Sequence, residues 1–296
     1  MASQASIEAF FDPATHTASY LVADRASAAA VVIDPVLDYD HASGTVRTTS
    51  ADRILAAAAE AGLAIGWVLE THVHADHLSA AAYLGRRTGA AIGIGEHTPA
   101  VRASFRPVFE LDDAPADGGG FDRLLRDGDV IRLGGLAIEV MHTPGHTPAC
   151  VSYRVGDAVF VGDTLFMPDY GTARTDFPGG SARSLYRSIK RLLALPPATR
   201  LYLCHDYKAP GRDVHAWETT VAAQRRDNVH IHDGIGEDEF VAMREARDAG
   251  LSAPALLLPA IQVNLRGGRL PPARPNGVRY LSIPLRLPAD AGLDAA

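Results

Sequence analysis

At 296 residues the chain can bury a sizeable core, in one large domain or a domain with a modest extension. Its composition, 47% apolar and 21% charged, is that of a folded globular protein rather than a disordered one. Lys+Arg 28 against Asp+Glu 35, a net charge of -7, argues against a broad phosphate-binding surface, so no nucleic-acid partner is expected. Residues 7–11, 18–22 and 30–33 read as short β-rich strands divided by turn residues, and Asp34-Pro35 closes the third. A polar loop over 38–49 leads to an Ala-rich helix opening at Ser50 and ending at Gly62. Strand 66–70, a histidine-rich loop, helix 78–87 and strand 91–95 follow. Residues 112–120, rich in Asp, Gly and Pro, read as a surface loop. Strands are then expected at 130–133, 137–141, 151–155, 158–161 and 200–204, with an amphipathic helix over 181–193. Two helices are expected near 217–226 and 238–247, before a proline-rich tail with a last apolar segment at 278–284.

Strand clusters followed by helices, occurring twice, point to two mixed sheets packed together with helices outside. No repeat or low-complexity linker divides the chain, and the expected organisation is a main domain over 1–250 with a C-terminal extension, 251–296, packed on it. The first residues show no basic stretch followed by an apolar core. No apolar run approaches the ~18–20 residues of a membrane helix. Two cysteines, Cys150 and Cys204, cannot make a disulfide framework, so a cytoplasmic, reducing location without membrane association is expected. Both lie in strand-like contexts and read as small buried hydrophobes.

The chemistry is concentrated in Thr71-His72-Val73-His74-Ala75-Asp76-His77, directly after an expected strand. Alternating residues leaving a sheet can turn inward together, and imidazoles with a carboxylate suit Zn, Fe or Mn. Further donors come off later strand ends: His146 in Thr143-Pro144-Gly145-His146-Thr147, Asp163 after Gly162, and His205 after Cys204. His16, His41, His97, His142, His215, His230 and His232 lack ligand spacing to this set, and the Thr-Pro-Gly turn is expected to point His142 elsewhere. Gly162 is expected to permit close backbone approach, and Asp34 to support the metal loop structurally.

The order His-x-His-x-Asp-His, Gly-His, Gly-Asp, His, spread over residues 34–206, resembles the metallo-β-lactamase superfamily. That resemblance implies a four-layer αββα sandwich of two mixed sheets (α/β, α+β), with the metal site at one edge. Secreted β-lactamases of the best-known subclass carry Cys where Asp163 stands, and flavodiiron proteins carry Glu where His74 stands. Nucleic-acid-processing members add an inserted domain and a basic surface, neither evident here. Two relatives fit: glyoxalase II, a binuclear hydroxyacylglutathione thioester hydrolase, and persulfide dioxygenase. The stretches Val32–Asp40, Thr143–Cys150, Gly171–Phe177 and Cys204–Tyr207 are similar to persulfide dioxygenases, and residues 262–284 resemble a bacterial branch of that family. Glyoxalase II adds a helical glutathione-binding C-terminal domain that this tail does not resemble.

The persulfide dioxygenase resemblance implies one Fe(II) per chain, with Zn or Mn as substitutes, held by His72, His146 and Asp163. It places His74, Asp76, His77 and His205 around the ligands, although the same four complete the set for a second metal. The implied reaction takes glutathione persulfide and O2 to sulfite and glutathione, with a rhodanese-type sulfurtransferase as persulfide source and a homodimer or higher homo-oligomer as assembly. Asp76 and His205 are assigned to the catalytic surroundings. Arg174 is expected to bind the glutathione carboxylates through its guanidinium fork, the alternative being an ion pair with Asp176. Tyr207 is expected to hydrogen bond to substrate or to pack on the site. Some family members carry Cys-Gly before this Arg; Thr172-Ala173 stands here, so no role of such a cysteine carries over.

Overall fold

The structure, a computed structural model, describes residues 5–109, 111 and 120–285; most of the surface loop expected at 112–120 lies outside the described residues. The first half contains strands β1 (Ser6–Asp12), β2 (Thr17–Asp24), β3 (Ala29–Ile33), β4 (Val36–Asp40) and β5 (Thr45–Arg47), then helix α1 (Thr49–Glu60). Next come β6 (Ala64–Leu69), β7 (Leu78–Ser79), α2 (Ala81–Thr88), β8 (Ala91–Gly95), α3 (Thr98–Phe109) and β9 (Arg123–Leu125). The second half contains β10 (Val130–Leu133), β11 (Leu136–His142), β12 (Val151–Val155), β13 (Ala158–Phe160), α4 (Ala182–Leu193), β14 (Arg200–Tyr202) and β15 (Glu218–Thr220). It ends with α5 (Val221–Asp227), α6 (Glu237–Asp248) and α7 (Leu257–Asn264).

One six-stranded sheet runs β1-β2-β3-β6-β8-β9 and the other β10-β11-β12-β13-β14-β15. Both are mixed: β3, β6, β8 and β9 pair in parallel, as do β13 and β14, while the hairpins are antiparallel. The inner faces meet in an apolar layer built on Tyr20, Ile33, Leu69, Ile138, Tyr153 and Phe160. Ile54 of α1 and Leu84 of α2 cover the outer face of the first sheet, joined by Ala260 and Val263 of α7. Leu185 and Ile189 of α4 and Phe240 of α6 cover the second. Each such large apolar side chain contributes ~1.5–3 kcal/mol on burial, so the strand ends that carry the polar site are set on a rigid frame. This is the expected four-layer αββα sandwich. Among the described residues no helix is long and apolar enough to cross a membrane.

Several elements differ from the sequence reading for identifiable reasons. The loop expected at 38–49 contains a hairpin, because β4 pairs with β5 and also with β7. That second pairing, Val36 with Ser79 and Leu37 with Leu78, keeps 78–79 extended and delays α2 to Ala81. The helix expected from 217 begins with strand β15, and α5 opens only at Val221, capped by the Thr220 hydroxyl. Helices α3 and α7 were hidden by prolines. Pro99 and Pro259 lie in the first turns of their helices, where backbone N–H groups have no intrahelical acceptor and proline is tolerated.

Candidate metal centre

Every expected donor gathers at one edge of the sandwich. His72, His74, Asp76 and His77 follow β6, His146 sits in the turn between β11 and β12, and Asp163 and His205 follow β13 and β14. His72 Nε2 and His146 Nε2 approach Asp163 Oδ2 at 3.9 and 3.7 Å. These spacings are too long for direct hydrogen bonds. They suit neighbouring donors on one ion at bond lengths near 2.0–2.2 Å.

The second nitrogen of each imidazole fixes which form faces the site. Asp34 accepts from the Thr71 backbone N–H (2.7 Å) and the Thr71 hydroxyl (2.8 Å). With its hydrogen directed at Asp34, Thr71 Oγ1 must accept from His72 Nδ1 at 3.0 Å, leaving the Nε2 lone pair towards Asp163. His146 Nδ1 donates to the Arg174 carbonyl at 2.8 Å, so its Nε2 also presents a lone pair. Burial pushes His72 well below the ordinary imidazole range, which keeps it a neutral ligand. Asp34 adopts φ 49°, an uncommon left-handed conformation that turns its carboxylate under the loop. Gly162, at φ 53°, is where Thr71 approaches the chain, and an added Cβ would lie 2.6 Å from Thr71 Oγ1.

The remaining donors form a second group. His205 Nε2 lies 3.2 Å from Asp76 Oδ2 and 3.4 Å from Asp163 Oδ1. His77 Nδ1 donates to the Leu78 carbonyl at 3.1 Å, aiming Nε2 inward, and burial lowers its pKa to about 3. His74 Nε2 faces Asp34 Oδ1 at 3.0 Å and Glu70 Oε2 at 3.1 Å. Burial opposes its charge, but the carboxylates overcome that and raise its pKa well above normal. Burial raises the pKa of Glu70, whose Oε1 accepts from the Ser79 hydroxyl. His74 Nδ1, His77 Nε2, His205 Nε2 and Asp163 Oδ1 are buried without a hydrogen-bond partner. Unsatisfied buried polar atoms are costly and rare in native proteins, so four at one place fit a cation held there. The donors divide into His72, His146 and Asp163, and into His74, His77, His205 and the buried thiol of Cys204. Burial raises the Cys204 pKa and pushes Cys150 up to about 12, in keeping with their reading as buried small residues.

Supporting residues include several that sequence spacing did not reveal. The Asn264 side chain of α7 donates to the carbonyls of His74 and His77 and accepts from Ser79 N–H, each at 2.8 Å. The C-terminal helix therefore clamps both ends of the histidine loop. The 171–177 segment is held from α6. Asp248 accepts from Thr175 N–H and its hydroxyl at 2.8 and 2.9 Å, and Arg244 donates to the Thr172 carbonyl and to Asp248. That segment presents the Arg174 carbonyl and the Phe177 ring, 5.0 Å edge-on, to His146.

The Arg174 guanidinium forms the ion pair that the sequence offered as the alternative. It donates twice to Asp176, at 2.6 Å each, and once to the Ser252 carbonyl at 2.7 Å. Tyr207 stacks on His205 at 5.7 Å and its hydroxyl donates to Asp76 Oδ2 at 3.3 Å. His142 points away, its Nε2 on the Pro148 carbonyl. A cavity of about 420 Å³ opens over the donors, lined near the metal ligands by Asp76, His146, Asp163 and Tyr207. Its lining also includes Tyr170, His230, Arg244 and Arg247, and it is within the size range of small-molecule sites.

The fold and this donor arrangement define a metal-binding enzyme framework, and the chain belongs to the metallo-β-lactamase superfamily, whose profile matches residues 12–205. Among curated proteins it is 58% identical to a probable metallo-hydrolase of Burkholderia pseudomallei, over 95% of this chain and 99% of the relative. It is 46% identical to glyoxylase B2 of Dictyostelium discoideum, covering 96% and 98%. It is 31% identical to human mitochondrial persulfide dioxygenase ETHE1, covering 87% of each. Among solved structures, that of ETHE1 from Myxococcus xanthus superposes with a TM-score of 0.72 at 34% identity, covering 89% of this chain and all of that one.

Proposed function

We propose that the protein is a non-haem iron persulfide dioxygenase that converts glutathione persulfide, O2 and water into glutathione and sulfite. The observation that carries this reading is the triad of His72, His146 and Asp163, two neutral imidazoles and a carboxylate on one side of an open cavity. A two-His, one-carboxylate face leaves positions free for two reactants. The likeness to ETHE1 in sequence and structure supports the same reading. Iron bound there supplies redox chemistry with O2 that zinc lacks.

The chain's own groups then orient and exclude. His72 and His146 are fixed by Thr71 and the Arg174 carbonyl, so the ligands need no reorganisation when substrate arrives. Burial opposes ionisation of Asp76, but the neighbouring His205 outweighs it and keeps the carboxyl ionised. Its Oδ2, which accepts from Tyr207, is the base that this reading assigns to the persulfide proton. Holding both reactants in the cavity removes the entropic cost of their encounter. One persulfide, one O2 and one water yield one thiol and one sulfite, the outer sulfur supplying four electrons to O2. The protein acts in the cytoplasm as a homo-oligomer, fed by a rhodanese-type sulfurtransferase.

The second reading, a binuclear thioester hydrolase of the glyoxalase II type, draws on the inward atoms of His74, His77 and His205 and on the glyoxylase B2 relative. Parallel assays of one purified preparation separate the two. O2 uptake and sulfite release on glutathione persulfide, with slow or no hydrolysis of lactoylglutathione, is the expected result. Fast hydrolysis without O2 uptake defeats the dioxygenase reading.

A further inference from the structure

Three arginines line the cavity, and two already have carboxylate partners. Arg174 is paired with Asp176, and Arg244, 3% exposed, with Asp248 at 2.7 Å. Arg247, one turn further along α6, lines the same cavity, and its guanidinium makes no hydrogen bond or ion pair among the described residues. Two more polar groups on this wall are open. The Tyr170 hydroxyl has no partner among the described residues. His230 Nδ1 accepts from the Thr172 backbone N–H at 3.0 Å, so the neutral ring carries its hydrogen on Nε2, which likewise has no partner. Burial, reinforced by the charges of Arg247 and Arg244, lowers the His230 pKa to about 4, so this form persists at neutral pH. Tyr170 and His230 line the same cavity as Arg247. Gly171, at φ 103°, lets the backbone pass against the His230 ring, where a Cβ would overlap it.

We propose that Arg247, Tyr170 Oη and His230 Nε2 form an anion subsite that holds a carboxylate of the thiol carrier while its sulfur faces the metal ligands. One unpaired guanidinium and two neutral donors match one carboxylate in charge and hydrogen-bonding capacity. The subsite selects carboxylate-bearing thiols, such as glutathione or cysteine, over esters or uncharged thiols. It rests on the reading that this cavity takes a low-molecular-weight thiol derivative.

The test is calorimetric titration of the metal-loaded protein with glutathione and with its dimethyl ester, alongside metal analysis of each variant. The wild type is expected to bind the acid at least roughly tenfold more tightly than the ester. Arg247→Ala should abolish that preference with metal content unchanged, Arg247→Lys should retain part of it, and Tyr170→Phe should reduce it less. Equal affinity of the wild type for acid and ester overturns the subsite, as does an acid preference that survives in Arg247→Ala or a loss of metal in that variant. The dioxygenase reading is judged separately by O2 uptake. Equal turnover of acid and ester persulfides sinks the subsite and leaves that reading intact. An Arg247-dependent preference without O2 uptake on any persulfide does the reverse.

Discussion

Removing the Asn264 side chain should loosen the histidine loop and weaken metal binding together. The amide makes three hydrogen bonds of 2.8 Å at a residue 3% exposed, two to the carbonyls of His74 and His77 and one from Ser79 N–H. In Asn264→Ala the Ser79 N–H becomes a buried donor without an acceptor, costing ~1–3 kcal/mol, and each lost carbonyl bond removes ~1 kcal/mol more. The sum, about 3–5 kcal/mol, should appear in urea unfolding of the metal-free protein as a lower midpoint with unchanged slope. Because the two carbonyls belong to the residues that aim the imidazoles, metal affinity measured by chelator competition should fall roughly 10–100-fold. Asn264→Asp, which keeps the acceptor but turns a carboxylate towards two carbonyls, should do no better. Stability within ~0.5 kcal/mol of wild type and unchanged metal affinity would refute the clamp.

Other consequences follow from the same geometry. Thr71→Val keeps the size of the side chain and the backbone bond to Asp34 but removes the acceptor for His72 Nδ1, so metal affinity should drop about tenfold with the fold intact; chelator competition with circular dichroism checks both halves. Arg174→Ala loses a half-exposed ion pair worth ~1 kcal/mol while the main-chain carbonyl on His146 stays, so metal content should hold and the rise in KM should be smaller than in Arg247→Ala. His230 is held neutral with a folded pKa of about 4, against an ordinary value near 6.5. Only the unfolded chain takes its proton between those values, so its contribution is fully present above pH 6.5 and is lost as pH falls towards 4. The stability advantage of wild type over His230→Gln should therefore shrink across that window, and a constant difference would contradict the assignment.

The parts of this architecture that were legible in the sequence are those written locally. Alternating apolar strands and donors set at strand ends need no knowledge of distant partners, which is why His72, His146, Asp163 and His205 stand out as one donor set in the sequence alone. Asp34 and Gly162 were legible for a similar reason, being a strand terminus and a glycine beside a donor. What escaped depends on contacts across the chain. Asn264 stands 187 positions from the His77 carbonyl it holds, and although the surrounding segment resembles a bacterial branch of the family, no local pattern ties this amide to the histidine loop. Arg174 carries two readings in the sequence, a carboxylate binder or an ion pair with Asp176, and only the packed structure shows Asp176 taking both arms of its fork. Arg247 and His230 gain meaning only once α6 and the 171–177 segment enclose the same cavity. The missed helices α3 and α7 illustrate proline in a first turn, where it breaks the pattern without breaking the helix.

The most direct test of the central claim is metal stoichiometry measured together with O2 uptake on glutathione persulfide. The account predicts one iron per chain, one O2 consumed per persulfide, and no uptake when glutathione alone is supplied. Two metals per chain, with iron-loaded protein that leaves O2 untouched while hydrolysing lactoylglutathione, would contradict it.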